Sequence, residues 1–366
     1  MCLPKKMKII IYSLLCLVVA YFLSILIRSV TLYSDFKTES REWKGNIMQP
    51  DELLGYKPAP NSFGFQKTPV GEGTPVHFDE LGFRVPLEYI FSGNFRPLIL
   101  SLGCSFTFGD ACLAEETFSY LIAKELNGTV HNAGVSGYGL AQMLSRAREF
   151  IPKYQPDYVV VQYSPWLAVR ASKMYAPVQY FYVPTPYFAV VNDSIQIISP
   201  PFTVLVRGNS FSEKQIPDYF TFFKEICLPM MPYYDYHVTV TRMKLFFGLI
   251  PEPLEDYQQI ETFAFDDLLR ICEKHGAKMI LLVISNELNA NKITQAGRGE
   301  SITIANADYA LYQNLTIKTQ EEYNRVYGLW KGNPPILVDR HPNPVSHQII
   351  SGEILKAIEK LNSENN

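Results

Sequence analysis

The sequence has few cysteines, little net charge and no internal repeats. Its 6 cysteines are spread over 366 residues with no Cys-x-x-Cys pair, which argues against a zinc module, a thioredoxin-like redox site and a disulfide scaffold. The 33 lysines and arginines nearly balance 36 acidic residues, giving a formal charge of −3. Such a chain has no general electrostatic attraction to nucleic acid. We predict no nucleic-acid partner, no metal site and no cofactor site.

Apolar side chains, by contrast, are plentiful. Hydrophobic residues make up 47% of the chain and charged residues 19%, a composition that excludes intrinsic disorder. At roughly 100–200 residues per domain, the length suits two domains or one large domain with insertions.

The first 30 residues have the composition of a membrane span. No charged residue occurs from Ile9 to Ile27, while lysines precede this run and Arg28 follows it. A helix of this length spans about 28 Å, close to the hydrocarbon thickness of a bilayer. A cleaved signal peptide would have a shorter apolar run that ends in small residues. We predict a transmembrane anchor at residues 1–30, with a signal peptide as the main alternative.

Basic residues also predict the orientation of this span. The lysine excess before it places the N-terminus in the cytoplasm and the rest of the chain outside, which is the periplasm in a bacterium. Disulfides form in that compartment, and Cys227 with Cys272 is one pair that it would allow.

The remaining chain divides by pattern into an extension, an α/β region and an insert. Residues 31–96 are rich in turn residues and predict a β-rich extension, and residues 97–366 predict the main domain. In that domain, short apolar runs typical of strands alternate with helical periodicity, which favours a central parallel sheet with helices on both faces. The predicted strands are at 97–103, 130–133, 158–162, 279–284 and 336–338; the predicted helices lie near 118–126, 140–151, 262–275, 319–330 and 345–361.

The insert covers residues 165–258 and is dense in Tyr, Phe and Pro without a steady period. Aromatic residues usually pack in cores, so a packing subdomain is the default interpretation. An aromatic lid over a functional site is the alternative.

The loop after the first predicted strand of the main domain carries the strongest chemical signal. It reads Gly103-Cys-Ser105-Phe-Thr107-Phe-Gly109, and ligands of open parallel sheets bind at the carboxyl ends of strands. A phosphate loop would need a lysine after its last glycine, and a Gly-x-Ser-x-Gly elbow would need glycine at Thr107. Ser105 is therefore either a nucleophile or a residue that merely caps the next helix.

A serine nucleophile needs a base and an acceptor that orients the base. Asp339-Arg-His341-Pro-Asn343 offers both, because residues two apart in an extended segment point the same way. We expect this loop to follow the last strand of the sheet and so to share an edge with Ser105. The alternative is that Asp339 and Asn343 only cap the terminal helix. The other histidines are predicted to be structural, namely His77, His131, His237, His275 and His347.

With these blocks in order, the chain resembles the SGNH/GDSL hydrolase superfamily of serine esterases and acyltransferases. Gly103-Cys-Ser105 matches the first block, with cysteine where the family has aspartate, and the Asn132–Gly139 stretch matches the second. The resemblance implies a flavodoxin-like three-layer fold. It also implies that Ser105, His341 and Asp339 are catalytic and that the N–H groups of Ser105 and Gly137 form an oxyanion hole.

The third block departs from the family pattern. The family has Gly-x-Asn-Asp there, with the asparagine as a further oxyanion donor, whereas this chain reads Val161-Gln-Tyr-Ser-Pro-Trp166. Losing such a donor costs about 3–4 kcal/mol unless another group replaces it. Gln162, Ser164 or a residue of the insert would have to substitute.

Together with the predicted anchor and its orientation, the resemblance implies a membrane-anchored serine esterase or acyltransferase outside the cytoplasm. Its expected substrates are small acyl esters, above all acetyl esters, of carbohydrate, and a membrane acyl donor is a candidate partner. Two alternatives remain: a catalytically silent glycan-binding or assembly protein with the same fold, and a general lipase at the membrane surface. Cys104 as the nucleophile is a minor third option.

Overall fold

A computed structural model describes residues 4–38, 43–44, 47–66, 74–88, 93, 95–178, 181–204, 218–291, 302–331 and 336–363. The chain divides into two compact units: Met1–Glu39 with Phe211–Leu249, and Ser40–Ser210 with Ile250–Asn366. The first unit therefore joins the predicted anchor to part of the predicted insert, of which residues 205–217 lie outside the described residues.

The first unit is helical. It contains α1 (Lys5–Thr38) and, later in the chain, α6 (Tyr219–Phe222), a π-helical turn (Phe223–Cys227) and α7 (Leu228–Phe246). In α1, Lys5–Ser34 has a mean hydropathy of 2.7 and is long and apolar enough to cross a membrane, features that a signal sequence shares.

The second unit is built on a five-stranded sheet. Its strands are β7 (Leu98–Leu102), β8 (Thr129–Asn132), β9 (Tyr158–Tyr163), β14 (Lys278–Val283) and β15 (Thr303–Asn306). All four neighbouring pairs are parallel, and the spatial order is β8-β7-β9-β14-β15. Numbered along the chain this is the 2-1-3-4-5 order of flavodoxin-like sheets, whose ligands bind where the order reverses, between β7 and β9. The fold-class prediction is confirmed.

Helices cover both faces of this sheet because alternate strand residues point to opposite sides. Leu100 and Val159 face one cluster, to which α4 and α8 contribute Leu144 and Leu268, among others. Ile99 faces the other cluster, to which α3 and α11 contribute apolar residues. The helices of this unit are α2 (Ser105–Phe108), a 3₁₀ turn (Ala114–Glu116), α3 (Phe118–Glu125), α4 (Leu140–Tyr154), α5 (Trp166–Ala171), α8 (Tyr257–Lys274), α9 (Ala307–Asn314), α10 (Gln320–Tyr327) and α11 (Pro344–Ser363).

The last predicted strand does not belong to the central sheet, and this expectation was wrong. β17 (Ile336–Asp339) pairs antiparallel with β16 (Leu329–Lys331) in a separate ribbon. The fifth strand of the sheet is β15, a four-residue segment with two polar ends that carries little strand signal. A strand pattern in the sequence does not identify the partner with which the strand pairs.

The extension and the insert add small antiparallel sheets to this unit. In the extension, β1 (Trp43–Lys44), β4 (Phe63–Gln66), β5 (Thr74–Phe78) and β6 (Arg84–Val85) form one sheet, and β2 (Met48–Asp51) pairs with β3 (Gly55–Pro58). In the insert, β10 (Tyr175–Val178) pairs with β11 (Phe181–Pro184), and β12 (Tyr187–Val191) with β13 (Ser194–Ile198). Cys227 and Cys272 are free thiols, so the disulfide considered from the sequence is not formed.

Candidate active site

Ser105 lies at the junction between β7 and α2, in what we call the Ser105 loop (residues 103–112). It is the first residue of α2, and Cys104 occupies the N-cap without a side-chain capping bond. The idea that Ser105 caps the helix is therefore wrong. Gly103 is required at this turn, because a Cβ there would lie 2.0 Å from Thr107 Oγ1 and 2.5 Å from Gln162 Oε1.

The Ser105 hydroxyl donates to the sulfur of its neighbour. Ser105 Oγ lies 3.8 Å from Cys104 Sγ, and Ser105 is 6% exposed. No hydrogen bond from this hydroxyl to His341 occurs among the contacts of the described residues. Two further donors reach the same sulfur, Gln162 Nε2 at 3.1 Å and Trp166 Nε1 at 3.5 Å.

Gln162, at the end of β9, ties the Ser105 loop to the sheet. Its Oε1 accepts from Cys104 N–H at 3.0 Å and from Thr107 Oγ1 at 2.8 Å. Its Nε2 donates to Ser164 Oγ at 2.7 Å, and Ser164 in turn donates to Ile284 O at 2.6 Å. Gln162 and Ser164, both suggested by the sequence as substitutes, thus donate to protein partners. Trp166, near the start of the insert, is a further donor of this block that reaches the Ser105 loop, at Cys104 Sγ.

The second-block loop, residues 133–137, packs directly against the Ser105 loop. Val135 N–H donates to Gly103 O at 3.2 Å, and a Cβ on Gly134 would lie 2.5 Å from Phe108 N. Gly137 has a φ of +86°, in the left-handed region that favours glycine. Within the described part of the chain, the backbone N–H groups of Ser105 and Gly137 have no acceptor, which leaves both available to a ligand.

Asp339 and His341 form the pair expected from the sequence, in the His341 loop (residues 339–343). Asp339 Oδ1 lies 2.6 Å from His341 Nδ1 and also accepts from His341 N–H at 2.9 Å. Asn343 Oδ1 accepts from Ser346 N–H at 3.0 Å, so the helix-cap alternative holds for Asn343. The buried Asp339 carboxylate fixes the tautomer in which Nδ1 carries the proton and Nε2 can accept one.

Asp110 is a site residue that the sequence analysis missed. Its Oδ2 lies 3.6 Å from His341 Nε2, its Oδ1 accepts from Ser136 Oγ at 2.5 Å, and its N–H donates to Ser105 O at 3.0 Å. Asp110, a member of the Ser105 loop, therefore contacts the other two loops through its buried carboxylate. His341 lies between two carboxylates, Asp339 at Nδ1 and Asp110 at Nε2.

A buried arginine from the extension holds the turn that carries Asp110. The Arg84 guanidinium donates to the carbonyls of Phe108, Gly109 and Cys112. Burial lowers the pKa of Arg84, and nearby Cys112 and Asp110 oppose that shift. The β-rich extension is thus part of the scaffold of the site, a role that the sequence stretch ending at Arg84 does not reveal.

Two other histidines are buried without approaching this chemistry. His347 Nδ1 accepts from Phe118 N–H at 3.2 Å, and burial, with the charges of Arg84 and His341, lowers its pKa to about 3. His131 stacks on Phe83 with ring centroids 4.3 Å apart, and burial lowers its pKa to about 4. Both rings are neutral packing groups at pH 7.

The three loops together offer the parts of nucleophilic acyl transfer. They bring a serine hydroxyl, a carboxylate-oriented imidazole and unpaired backbone donors to the edge of the sheet where ligands bind. In the structure the hydroxyl and the imidazole are each engaged elsewhere, with Cys104 and Asp110.

Comparison with known proteins finds likeness only among solved structures. No protein-family model and no curated protein matches the chain. Similar structures include a catalytic mutant of the acetylxylan esterase Axe2 from Geobacillus stearothermophilus (12% identity, 73% of this chain and 95% of that chain, TM-score 0.36). Others are the esterase EstA from Pseudoalteromonas sp. (12%, 74% and 100%, TM-score 0.30) and a putative G-D-S-L family lipolytic protein from Desulfitobacterium hafniense (10%, 72% and 99%, TM-score 0.30). At such TM-scores, function has to be inferred from this chain's own contacts.

Proposed function

We propose that the protein is an SGNH/GDSL-type serine esterase or acyltransferase, anchored in the membrane by α1 with its second unit outside the cytoplasm. The observation that carries this proposal is the 2.6 Å contact between Asp339 and His341, in a loop whose imidazole faces the Ser105 loop. The pair has the geometry that a general base requires.

In the proposed reaction, Ser105 Oγ attacks the carbonyl carbon of an ester. His341 Nε2 takes the hydroxyl proton and returns it to the departing alkoxide, while Asp339 stabilises the imidazolium. Water or a sugar hydroxyl then attacks the acyl-Ser105 ester, and His341 again moves the proton. For the first step the Ser105 hydroxyl must rotate away from Cys104 Sγ and toward His341 Nε2. His341 Nε2 must in turn leave Asp110 and contact Ser105.

The oxyanion is held by backbone and indole donors. The N–H groups of Ser105 and Gly137 supply two of them, and we assign Trp166 Nε1–H as the third, in place of the family's asparagine. Trp166 follows β9, and its indole N–H already lies 3.5 Å from the sulfur that the Ser105 hydroxyl contacts. Donors of this kind act through charge that develops in the transition state.

The acetyl group and the carbohydrate acceptor follow from the family resemblance and the outer compartment. Aromatic residues of the insert suit stacking against sugar rings, and anchoring by α1 makes a membrane acyl donor a candidate partner. The domain division proposed with this function is an anchor at 1–30, an extension at 31–96 and the hydrolase-like domain at 97–366.

A catalytically silent binding or assembly protein is the second candidate. It is favoured by the resting contacts of Ser105 and by the commitment of Gln162 and Ser164 to structural hydrogen bonds. In such a protein the same three loops would bind an acylated glycan without cleaving it.

Ester turnover by the full chain in nanodiscs separates the two candidates. We expect p-nitrophenyl acetate and an acetylated oligosaccharide to be cleaved faster than a palmitoyl ester, and Ser105→Ala to lose roughly 10⁴–10⁶-fold in kcat. Ser119→Ala is a matched control, because its hydroxyl is also buried and donates to Ser101 Oγ at 2.9 Å. Equal rates for wild type and Ser105→Ala would refute the enzyme proposal. Folded protein that binds acetylated glycan without turnover would favour the second candidate.

A further inference from the structure

Helix α7 exposes an apolar face. Its exposed members include Tyr236 at 64%, Phe246 at 85% and, at the C-cap, Phe247 at 64%. We call this surface the outer face of α7; it comprises Leu228, Tyr233, Tyr236, Met243, Phe246 and Phe247. Isolated exposed apolar residues are ordinary on protein surfaces, whereas a cluster along one element marks an interaction site.

The spacing of these residues shows that they form a continuous face. Tyr233, Tyr236, Met243 and Phe247 follow one another at intervals of three, seven and four residues, which places them on one side of a helix. The buried residues of α7, Met231 and Thr241, lie at other helical positions. One side of α7 is thus packed within the protein, and an apolar side is exposed.

Contacts with α1 show which part of that helix lies beside the middle of α7. Both Oδ atoms of Asp235 pair with the Arg28 guanidinium, at 2.6 and 2.9 Å, and Asp235 Oδ2 also accepts from Tyr21 OH at 3.0 Å. Arg28 is the first charged residue after the apolar run from Ile9 to Ile27. Asp235, near the middle of α7, therefore lies at the polar end of that run.

Two further contacts show which part of α1 lies beside the segment before α7. Tyr219 OH lies 2.6 Å from Ser29 Oγ, and the Tyr33 ring is 5.4 Å from that of Phe222. Residues 219–222 thus meet α1 beyond Arg28, and the chain then moves toward the apolar run to reach Asp235. The middle of α7 therefore lies beside the end of the apolar run of α1.

We propose that the outer face of α7 lies in the headgroup region of the bilayer that α1 spans. An apolar face at the level of a membrane boundary, with tyrosines among its members, is typical of an interfacial helix. Exposed Arg242 and Lys244 border the face and suit the phosphate groups of the same layer. This inference rests on the proposed span of α1.

Tryptophan substitutions in the full chain test the position of the face. The variants Phe247→Trp and Tyr236→Trp are reconstituted in nanodiscs of phosphatidylcholine, with or without bromine on the upper part of the acyl chain. Val190→Trp, on the exposed β12–β13 hairpin, is the aqueous control, and Leu15→Trp in α1 is the control for the span. The emission added by each substitution is measured against the wild type.

We expect brominated lipid to remove most of the emission added by Phe247→Trp and Tyr236→Trp, and acrylamide to quench it several-fold less than the emission added by Val190→Trp. Quenching by acrylamide but not by lipid would overturn the inference, because the face would then be in water. Shielding from both quenchers would overturn it too, since a protein would then cover the face. If Leu15→Trp is not quenched by lipid, the proposed span itself fails; if only Leu15→Trp is quenched, α1 spans the membrane and the inference about α7 alone fails.

Discussion

The Ser105 loop and the His341 loop are held in different ways. The Ser105 loop follows a central strand of the parallel sheet and is tied down by Gln162, by Arg84 and by the second-block loop. The His341 loop follows a ribbon outside that sheet. It is held by a local bond between Asn343 and Ser346 and by bonds from Cys112 and Asn343 to backbone carbonyls. Substitutions that loosen the first loop should therefore cost stability, whereas those in the second should cost activity.

Within the His341 loop, the largest effect is expected from Asp339→Asn. The amide keeps the shape of the side chain but cannot stabilise the imidazolium, so kcat should fall about 10⁴-fold. The melting temperature should fall far less than it does for substitutions of Gln162. Steady-state kinetics and thermal unfolding on the same preparation measure both. Near-normal turnover of Asp339→Asn would show that Asp339 does not orient the base.

Trp166→Phe tests the assigned oxyanion donor. Phenylalanine keeps the edge-on contact with Phe106 but removes the indole N–H, so kcat should fall about 10²–10³-fold with KM nearly constant. Tyr163→Phe is a suitable control, because it alters a polar group of the preceding strand end and leaves Trp166 intact. A kcat for Trp166→Phe equal to that of the control would remove Trp166 from the oxyanion hole.

In the Ser105 loop, Gln162→Leu should mainly reduce stability. The change leaves Cys104 N–H and the Thr107 hydroxyl without their buried acceptor, at a cost of about 2–4 kcal/mol in the free energy of unfolding. Gln196→Leu, on the exposed side of β13, should change it by less than about 0.5 kcal/mol. Denaturant titration measures both values. Equal stabilities of the two variants would contradict the claim that Gln162 ties the loop to the sheet.

Acid should lower the free energy of unfolding through His347, a residue of α11, the helix that follows the His341 loop. Because burial lowers the folded-state pKa of His347 to about 3, its contribution is complete above the unfolded pKa near 6.5 and is lost as pH falls toward 3. Between pH 8 and pH 5 the loss is about 2 kcal/mol. His347→Gln keeps an acceptor for Phe118 N–H but does not titrate, so it should lose about 2 kcal/mol less than the wild type on acidification. An identical acid loss in both would show that His347 does not stay neutral in the fold.

The smallest effect concerns Asp110, where the two loops meet. Asp110→Asn keeps the shape of the side chain but removes the carboxylate that lies 3.6 Å from His341 Nε2. Because His341 must leave Asp110 to take the Ser105 proton, kcat should rise by up to about fivefold, the equivalent of about 1 kcal/mol. Ser136→Ala removes only the hydroxyl that donates to Asp110 and keeps the carboxylate, so its kcat should stay near the wild-type value. A kcat of Asp110→Asn equal to that of the wild type would mean that Asp110 does not act on His341.

The same difference between the loops explains what the sequence could reveal. The Ser105 loop was predictable because β7 is a mostly apolar run that is followed by Gly103. The pair of Asp339 and His341 was predictable because the two residues lie two positions apart. The contact of Asp110 with His341 joins residues far apart in the chain, so no local pattern announces it. The place of β17 was mispredicted for a different reason: its partner, β16, lies a few residues before it, at a stretch that the sequence analysis assigned to the end of a helix near 319–330.

The insert was the least predictable region. Helix α7 contains Pro232 and follows a π-helical turn, which breaks the periodicity that would have revealed a helix. Its association with α1 depends on Asp235 reaching Arg28 across 207 positions. The sequence pattern alone therefore identified an insert rich in aromatic residues but predicted no helices or strands within it.

Covalent labelling tests the central claim most directly. The full chain in nanodiscs is treated with a fluorophosphonate, and the modified residue is identified by mass spectrometry of peptides. We predict one adduct on Ser105 in the wild type, and its loss in His341→Ala, because the imidazole must take the serine proton. A folded wild-type protein with no adduct, or with the adduct on Cys104, would contradict the assignment of Ser105 as the nucleophile.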